Sequence, residues 1–148
     1  MKPLSHNKRA RFDFELLDTY EAGLELVGTE VKAIRSGKGK LEGGHVIVRG
    51  NEAYLVGASI PAHQPANTPP HYDPERVRRL LLSKKEIAEI SRKSEQKGLT
   101  IVPIMLYSKG QNIKLRLAIA RGRKKQDKRE LLKERDTKRD IERTLKNS

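Results

Sequence analysis

Alternation of apolar and polar residues is clearest in the segment Ile113-Lys-Leu-Arg-Leu-Ala-Ile-Ala120. Ile113, Leu115, Leu117 and Ile119 share one side, and Lys114 and Arg116 point the other way, as in a half-buried antiparallel strand. Ile101 to Tyr107 precedes it as a hairpin partner, with a turn over Ser108-Lys-Gly-Gln-Asn112. Upstream, Phe12 to Leu17 and Leu24 to Val27 are apolar-rich and broken by Gly23. His45 to Arg49 and Glu52 to Val56 flank Gly50-Asn51. That dipeptide predicts a two-residue hairpin turn, because both residues tolerate positive φ. Two segments read as helices instead. Thr29 to Gly37 offers Thr29 as a cap, Val31 and Ile34 three residues apart, and Gly37 as a stop. Ser83 with Glu86 forms a capping box, Ile87 and Ile90 mark the apolar face that follows, and Gly98 ends the run. Residues 60–74 carry five of the seven prolines and predict an irregular loop. Strands of this number with short helices at the connections predict a mainly β fold, a small closed β-barrel that is OB-fold-like. Closure removes open edges and presents one outer face to a ligand.

The pattern changes after Ala120. Residues 121–148 hold 12 Lys and Arg against 6 Asp and Glu. Helix formers dominate, and Glu134 with Lys138 and Glu142 with Lys146 stand four apart. Yet Leu131 and Leu132 are separated from Ile141 and Leu145 by a stretch without an apolar residue, so no stripe runs the length of the segment. An isolated helix is marginal. The chain therefore divides into a barrel over 1–120 and a basic C-terminal tail over 121–148 that is disordered when free. The tail is either a solvated extension or a segment that folds along RNA.

Charge narrows the partners. Lys and Arg number 32 and Asp and Glu 19 in 148 residues, a net charge of +13. Such an excess favours polyanions, nucleic acid before an acidic membrane surface. No segment approaches the roughly 18 apolar residues of a spanning helix. The stretch Met1 to Arg11 is basic without an apolar run, so no secretory signal is expected. The absence of cysteine removes disulfides, thiolate metal sites and a Cys nucleophile, and fits a cytoplasmic protein.

No enzymatic chemistry is legible. His6, His45, His63 and His71 show no metal-ligand spacing, and Gly37-Lys-Gly39 is too short to cradle a phosphate. Neither a catalytic residue, a metal site nor a cofactor is expected. Glu21, Glu25 and Glu30 are the residues a metal-dependent nuclease would need. The positive signal is basic. Lys8, Arg9 and Arg11 open the chain. Arg76, Arg78 and Arg79 precede Leu80-Leu81-Leu82. Arg121, Arg123, Lys124 and Lys125 close the barrel sequence. Guanidinium groups pair bidentately with phosphate and stack on unpaired bases, which suits folded RNA, although composition does not decide RNA against DNA.

Seven short motifs then stand in order: Asn7-Lys-Arg-Ala10, Glu21-Ala-Gly-Leu24, Gly28-Thr-Glu-Val-Lys32, Arg35-Ser-Gly37, Arg79-Leu-Leu-Leu82, Lys97-Gly-Leu-Thr100 and Asp127-Lys-Arg129. Together they make the chain similar to the SsrA-binding protein family, from about Asn7 to the C-terminus. The resemblance implies an OB-like barrel that binds the tRNA-like domain of transfer-messenger RNA and delivers that RNA to stalled ribosomes in trans-translation. It implies that Asn7, Glu21 and Leu81 serve RNA binding or the integrity of that surface, and the basic residues Lys8, Arg9, Arg76, Arg78 and Arg79 are added as RNA-binding candidates. Glu21 either accepts hydrogen bonds from base or ribose donors, orients a neighbouring cation, or anchors a strand end. Leu81 either packs on a base or fills the core. The resemblance also implies that the tail, through Gly122, Arg123, Lys124, Asp127, Lys128 and Arg129, acts in the empty mRNA path at the small-subunit decoding region, where it is helical. An elongation GTPase acting on the same RNA is an implied partner, and no membrane is. Two departures are visible: Arg123 where Lys is usual, and Gln126 where His is frequent. A ribosomal protein with a basic extension and a small nuclease are the rival readings.

Overall fold

The computed structural model describes residues 1–64, 66 and 68–146, the side chains of Lys125 and Lys146 excepted. The expected Glu142–Lys146 pair, the place of Lys125 in the third basic cluster, Pro65 of the loop and the last two residues of the tail therefore lie outside the described residues. Seven antiparallel strands form one sheet: β1 (Lys2–His6), β2 (Phe14–Leu24), β3 (His45–Arg49), β4 (Glu52–Val56), β5 (Arg78–Leu81), β6 (Leu99–Lys109) and β7 (Asn112–Gly122), in the spatial order β1-β6-β7-β2-β5-β4-β3. Four helices punctuate it: α1 (Ala10–Asp13), α2 (Gly28–Arg35), α3 (Lys84–Ser94) and α4 (Lys125–Lys146).

The mainly β architecture is as expected, but the sheet is not closed. The outermost strands β1 and β3 do not pair with each other. The chain does curl, so that β3 comes close to β6. β7 runs along one edge of β6 and β1 takes the other only from Met105 to Ser108, while β3 comes near without joining β6 in a ladder. An open curled sheet thus replaces the predicted closed barrel.

The core is aliphatic. Leu41, Leu55, Ile60, Leu80, Ile90, Leu106, Leu115, Leu117 and Ile119 are all buried, with Ala22, Ala33 and Ala53 where elements approach closely. The alternation in 113–119 does what its period predicts, and Ile113, Leu115, Leu117 and Ile119 all face inward. Gly50 and Asn51 have φ of 56 and 65 and turn the β3–β4 hairpin, as a primed turn requires. Ser83 and Glu86 form the reciprocal cap, with Glu86 N donating to Ser83 Oγ at 3.1 Å and Ser83 N donating to Glu86 Oε1 at 3.2 Å.

Several elements differ from the sequence reading. Gly23 does not break a strand; it lies within β2 and pairs with Leu81 on one side and Lys114 on the other. A Cβ there would meet Leu81 Cβ at 3.2 Å, so glycine lets Leu81 lie flat against the sheet. Helix α2 is capped at Val27, whose amide donates to Glu30 Oε1 at 2.9 Å. Thr29 sits inside the helix, and its hydroxyl accepts from the His63 amide at 2.8 Å. Strands β1 and β5 and helix α1 are additional. The last strand runs two residues past Ala120, Gly122 pairing with Phe14. The tail, expected to be disordered, is the single helix α4 over Lys125–Lys146. Its first turn is held from two sides, as described below.

Candidate nucleic-acid interface

The outer face of the sheet gathers charge because the inner face takes the apolar half of each alternating strand. Across β5, β2, β7 and β6 the register places Leu81, Gly23, Lys114 and Tyr107 in one transverse row. Glu21, Arg116 and Met105 form the next row. Leu81 is 47% exposed. It borders a groove of about 220 Å³ with Gly23, Leu24, Val31, Arg35 and Lys114. Arg35 is fixed there, donating to the Gln111 carbonyl at 2.7 Å. Arg116 borders a second and larger groove of about 810 Å³, whose wall includes His6, Asn7, Lys8, Arg11 and Leu17. Lys114 and Arg116 alternate along β7, so one strand edges both grooves.

Glu21 stands opposite Arg116 on β2. It accepts from the Tyr107 hydroxyl at 2.5 Å and from Lys109 Nζ at 3.1 Å. The Tyr107 bond first, and Lys109 after it, hold the carboxyl below the usual carboxylate range. Tyr107 is fully buried, with Arg116 over its ring at 5.5 Å. Burial, and then the Glu21 carboxylate, push its hydroxyl up to about 12. Glu21 is therefore an ionised, half-exposed acceptor that also ties down a buried tyrosine. Of the alternatives open to it in sequence, orienting neighbours is the one its contacts display. Glu21→Ala is expected to lower affinity for tRNA-like RNA by about tenfold, the scale of one charge-assisted hydrogen bond. Far-UV circular dichroism should stay unchanged. Loss of the β-sheet signal would make Glu21 a folding residue and remove it from the interface.

Asn7 is an anchor. Its side-chain amide donates to the Pro103 carbonyl at 2.9 Å, its Oδ1 accepts from Arg9 N at 3.2 Å, and its own amide donates to the Ile104 carbonyl. It thereby fixes the start of α1 against β6 and leaves Lys8 and Arg9 exposed beside it.

In the second basic cluster Arg78 is structural, whereas Arg76 and Arg79 are paired but partly exposed. Arg78 has no exposed surface. Its Nε donates to Glu30 Oε2 at 2.8 Å, its Nη1 to the Ala58 carbonyl at 2.9 Å, and its Nη2 to the Pro74 carbonyl at 2.9 Å. The expectation that Arg78 contacts RNA is corrected, because every edge of its guanidinium is occupied inside the fold. Arg76 pairs with the same carboxylate, Nη2 to Oε1, at 2.5 Å, and donates to the Glu25 carbonyl. Arg79 is gripped by Glu52 at 3.0 Å and Glu25 at 2.6 Å; those carboxylates raise its pKa. Burial pushes the Glu30 carboxyl up, but bonds from Arg76, the Val27 amide and Arg78 outweigh it and leave the group below the usual range. The carboxylates of Glu21, Glu25 and Glu30 thus pair with different cations, Lys109, Arg79, and Arg76 with Arg78, and do not converge as a nuclease would need. Among the described residues no group of His, Cys, Asp and Glu is placed to hold a metal ion. Among the described residues no helix is long and apolar enough to cross a membrane.

At the chain's other end, Arg123 N donates to the Asp13 carbonyl at 2.9 Å and Arg123 Nε to the Arg11 carbonyl at 3.2 Å. Asp127 Oδ2 accepts from Lys124 N at 3.3 Å, in the first turn of α4. Lys128 Nζ meets Asp13 Oδ1 at 3.1 Å. Gly122 closes β7, and Arg129 stands at the next position of the helix. The sequence reading missed Tyr107, Lys109, Arg35, Phe12 and Asp13. For Lys114 and Arg116 the signal was present, since the alternation already turned them outward.

Against known proteins, the family model for the SmpB protein matches residues 4–147. An SsrA-binding protein of Thermosynechococcus vestitus is 49% identical over 146 residues, covering 99% of this chain and 96% of that one. An SsrA-binding protein of Acaryochloris marina is 47% identical, covering 98% and 94%. A solved structure described as "tmRNA-SmpB: a journey to the center of the bacterial ribosome" has 42% sequence identity and a TM-score of 0.70, covering 83% of this chain and 86% of that one.

Proposed function

The chain belongs to the SmpB protein family, and on that premise we propose that it binds the tRNA-like domain of transfer-messenger RNA and carries that RNA to stalled ribosomes for rescue and peptide tagging. The observation that carries this reading is the outer face of β7, where Lys114 and Arg116 edge two grooves and Glu21 stands opposite Arg116 in register. A face of that kind offers cations to phosphates and an exposed aliphatic side chain, Leu81, to an unstacked base. Lys8 and Arg9 extend it past α1. Arg76, Arg78 and Arg79 support it from behind by fixing β5 and the 57–77 connection to α2. The body works by recognition alone, and peptide chemistry and GTP hydrolysis belong to the ribosome and to an elongation GTPase acting on the same RNA.

The division of labour places RNA capture in the body and a second contact in the tail. Gly122, Arg123, Lys124, Asp127, Lys128 and Arg129 form the root of that tail, and the helix beyond them lies in the empty mRNA path at the decoding region. The action takes place in the cytoplasm.

Affinity for the RNA should fall linearly on a log–log plot against salt, because each neutralised phosphate releases counterions. With Lys8, Arg9, Lys114 and Arg116 engaged, a slope near −3 to −4 is expected for the tRNA-like RNA, about 0.9 for each contact. Arg116→Ala should reduce the slope by about one. A flat salt dependence measured by filter binding or fluorescence anisotropy would overturn the phosphate-binding role of this face.

A further inference from the structure

Three strands lose their regular two-residue period around the larger groove. On β2, Leu16 pairs with Ala120 and Thr19 with Ala118, so β2 carries one residue more than β7. On β6, Pro103 pairs with Leu117 and Met105 with Arg116, which leaves Ile104 extra. On β1, Pro3 pairs with Tyr107 and Ser5 with Leu106, which leaves Leu4 extra. Such bulges re-aim side chains and are frequent beside functional sites. Here Pro3, Leu16, Leu17, Ile104 and Met105 all line the groove. Strand β2 shows the effect best. Tyr20 and Ala22 turn toward the core, so in a regular strand Leu16 would turn the same way. The bulge reverses it, and Leu16, Leu17 and Thr19 line the groove together. The outer face, charged elsewhere, gains an apolar patch. Lys8, Arg11 and Arg116 line the same groove, and none of the described residues along it is acidic.

The one residue of that stretch left out of the groove is Asp18. Its Oδ2 accepts from Lys93 Nζ at 2.9 Å, across to α3. Lys93 also donates to Glu89 Oε1 at 2.8 Å and to the Tyr20 hydroxyl at 2.9 Å, and it lies 5.4 Å from the centre of the Tyr20 ring. The Tyr20 hydroxyl in turn donates to Glu89 at 2.8 Å. One ammonium group thus holds both neighbours of Thr19 to the helix.

We propose that Lys93 is a positioning residue for the RNA face: by drawing Asp18 toward α3 it keeps the β2 bulge, which presents Leu16 and Leu17 as a seat for one unpaired base of the bound RNA. The inference rests on the proposed binding of the tRNA-like RNA and gives the larger groove a base to hold. The base lies on the aliphatic side chains while its flanking phosphates meet Lys8, Arg11 and Arg116. Lys93 touches neither; it acts through Asp18 and the strand.

Lys93→Met keeps the aliphatic stem and removes the charge. Affinity for the tRNA-like RNA, measured by fluorescence anisotropy well below the melting transition, should fall about fourfold, the upper scale of a partly exposed ion pair. Asp18→Asn should lose as much, and Lys93→Arg, which keeps the charge, should bind normally. The salt slope should be the same in Lys93→Met, whereas loss of a phosphate contact would reduce it by about 0.9. In methyl NMR spectra of the free protein Lys93→Met should shift the Leu16 and Leu17 signals. Leu17→Ser should cost about fivefold in affinity, the scale of a half-exposed apolar side chain. Adding Lys93→Met to it should cost little more, since both act on one seat. The Leu17→Ser penalty should vanish on a fully paired RNA duplex of equal length, which has no base to seat. Failure of the unsubstituted protein to bind the tRNA-like RNA removes the proposed function and this inference together. With that binding intact, three results overturn the inference alone. Unchanged affinity or unmoved methyl signals in Lys93→Met would make the Lys93 contacts incidental to the groove. A reduced salt slope would make Lys93 a direct RNA contact. An equal Leu17→Ser penalty on the duplex would deny the base its seat.

Discussion

A chain ending at Lys124 is expected to bind the tRNA-like RNA within a few-fold of the full-length protein and to support no detectable peptide tagging on stalled ribosomes. The cut is placed by the structure. Ending at Ala120 would remove Arg121 and Gly122, which pair with Glu15 and Phe14 in β2, and would confuse sheet fraying with tail loss. Ending at Lys124 keeps all of β7 and the Arg123 bonds to α1. Nothing in the core cluster lies beyond that point, so the melting transition should be preserved. The small loss of affinity expected reflects removed positive charge and the long-range attraction it provides. Two measurements check the expectation: RNA affinity by anisotropy, and tagged product in a purified translation system with a truncated message. If RNA binding disappears with the tail, the root of α4 belongs to the primary RNA site. If tagging survives, the helix is a passive extension and the two-contact mechanism is wrong for this protein.

The largest loss of stability is expected from Glu30→Ala. That substitution leaves Arg78 buried with its strongest partner gone and Arg76 with one acceptor fewer. Removing one member of a buried ion pair typically costs about 3–5 kcal/mol, a large part of the 5–15 kcal/mol that holds an ordinary domain together. Urea denaturation should show a lowered midpoint, with the 57–77 connection loosening because Tyr72, which donates to the Ile60 carbonyl at 2.6 Å, also leans on Glu30. The acid side follows from the same carboxylate. Its folded value lies below the ordinary 4.5, so the unfolded chain binds the proton more readily. The stabilisation is complete above 4.5 and is lost as pH falls through the lower folded value. The unsubstituted protein should therefore lose stability steeply in that acidic window, and Glu30→Gln should flatten the profile. An unchanged urea midpoint in Glu30→Ala would show that the pair contributes nothing net to the fold.

The two basic clusters show where sequence stops being sufficient. Arg76, Arg78 and Arg79 look like a cationic surface because a sequence displays charge and hides pairing. Their carboxylate partners lie far back along the chain, in the connection after β2, at the first turn of α2 and at the start of β4. Only the strand order β2-β5-β4 brings Glu25, Glu30 and Glu52 around them. Lys114 and Arg116 were legible because their strand alternates for eight residues and fixes which way each points. Local chemistry was equally legible in the Ser83–Glu86 cap and the Gly50-Asn51 turn, each of which needs no distant partner. Strands β1 and β5 were not, since five and four residues give too few periods to read, and both owe their conformation to the neighbours they pair with. The helix over the tail has a similar origin: an apolar stripe is indeed missing, and α1 supplies instead a cation–π and ion-pair hold that no periodicity could reveal.

The position of β7 has a consequence for how the protein is made. This strand is central, bonded to β2 on one side and β6 on the other, yet it follows the other six strands of the sheet along the chain. Until it emerges, the long strand β2 lacks its main neighbour and the inner faces of β2 and β6 have nothing between them. The sheet therefore cannot assemble progressively behind the growing chain; it waits until Asn112–Gly122 has been made. Contacts this distant in sequence are slow to form and leave apolar edges open meanwhile. A message broken before codon 113 would yield a product with no central strand, unable to fold and exposed to proteolysis. This chain would then be among the proteins most in need of the rescue it is proposed to perform.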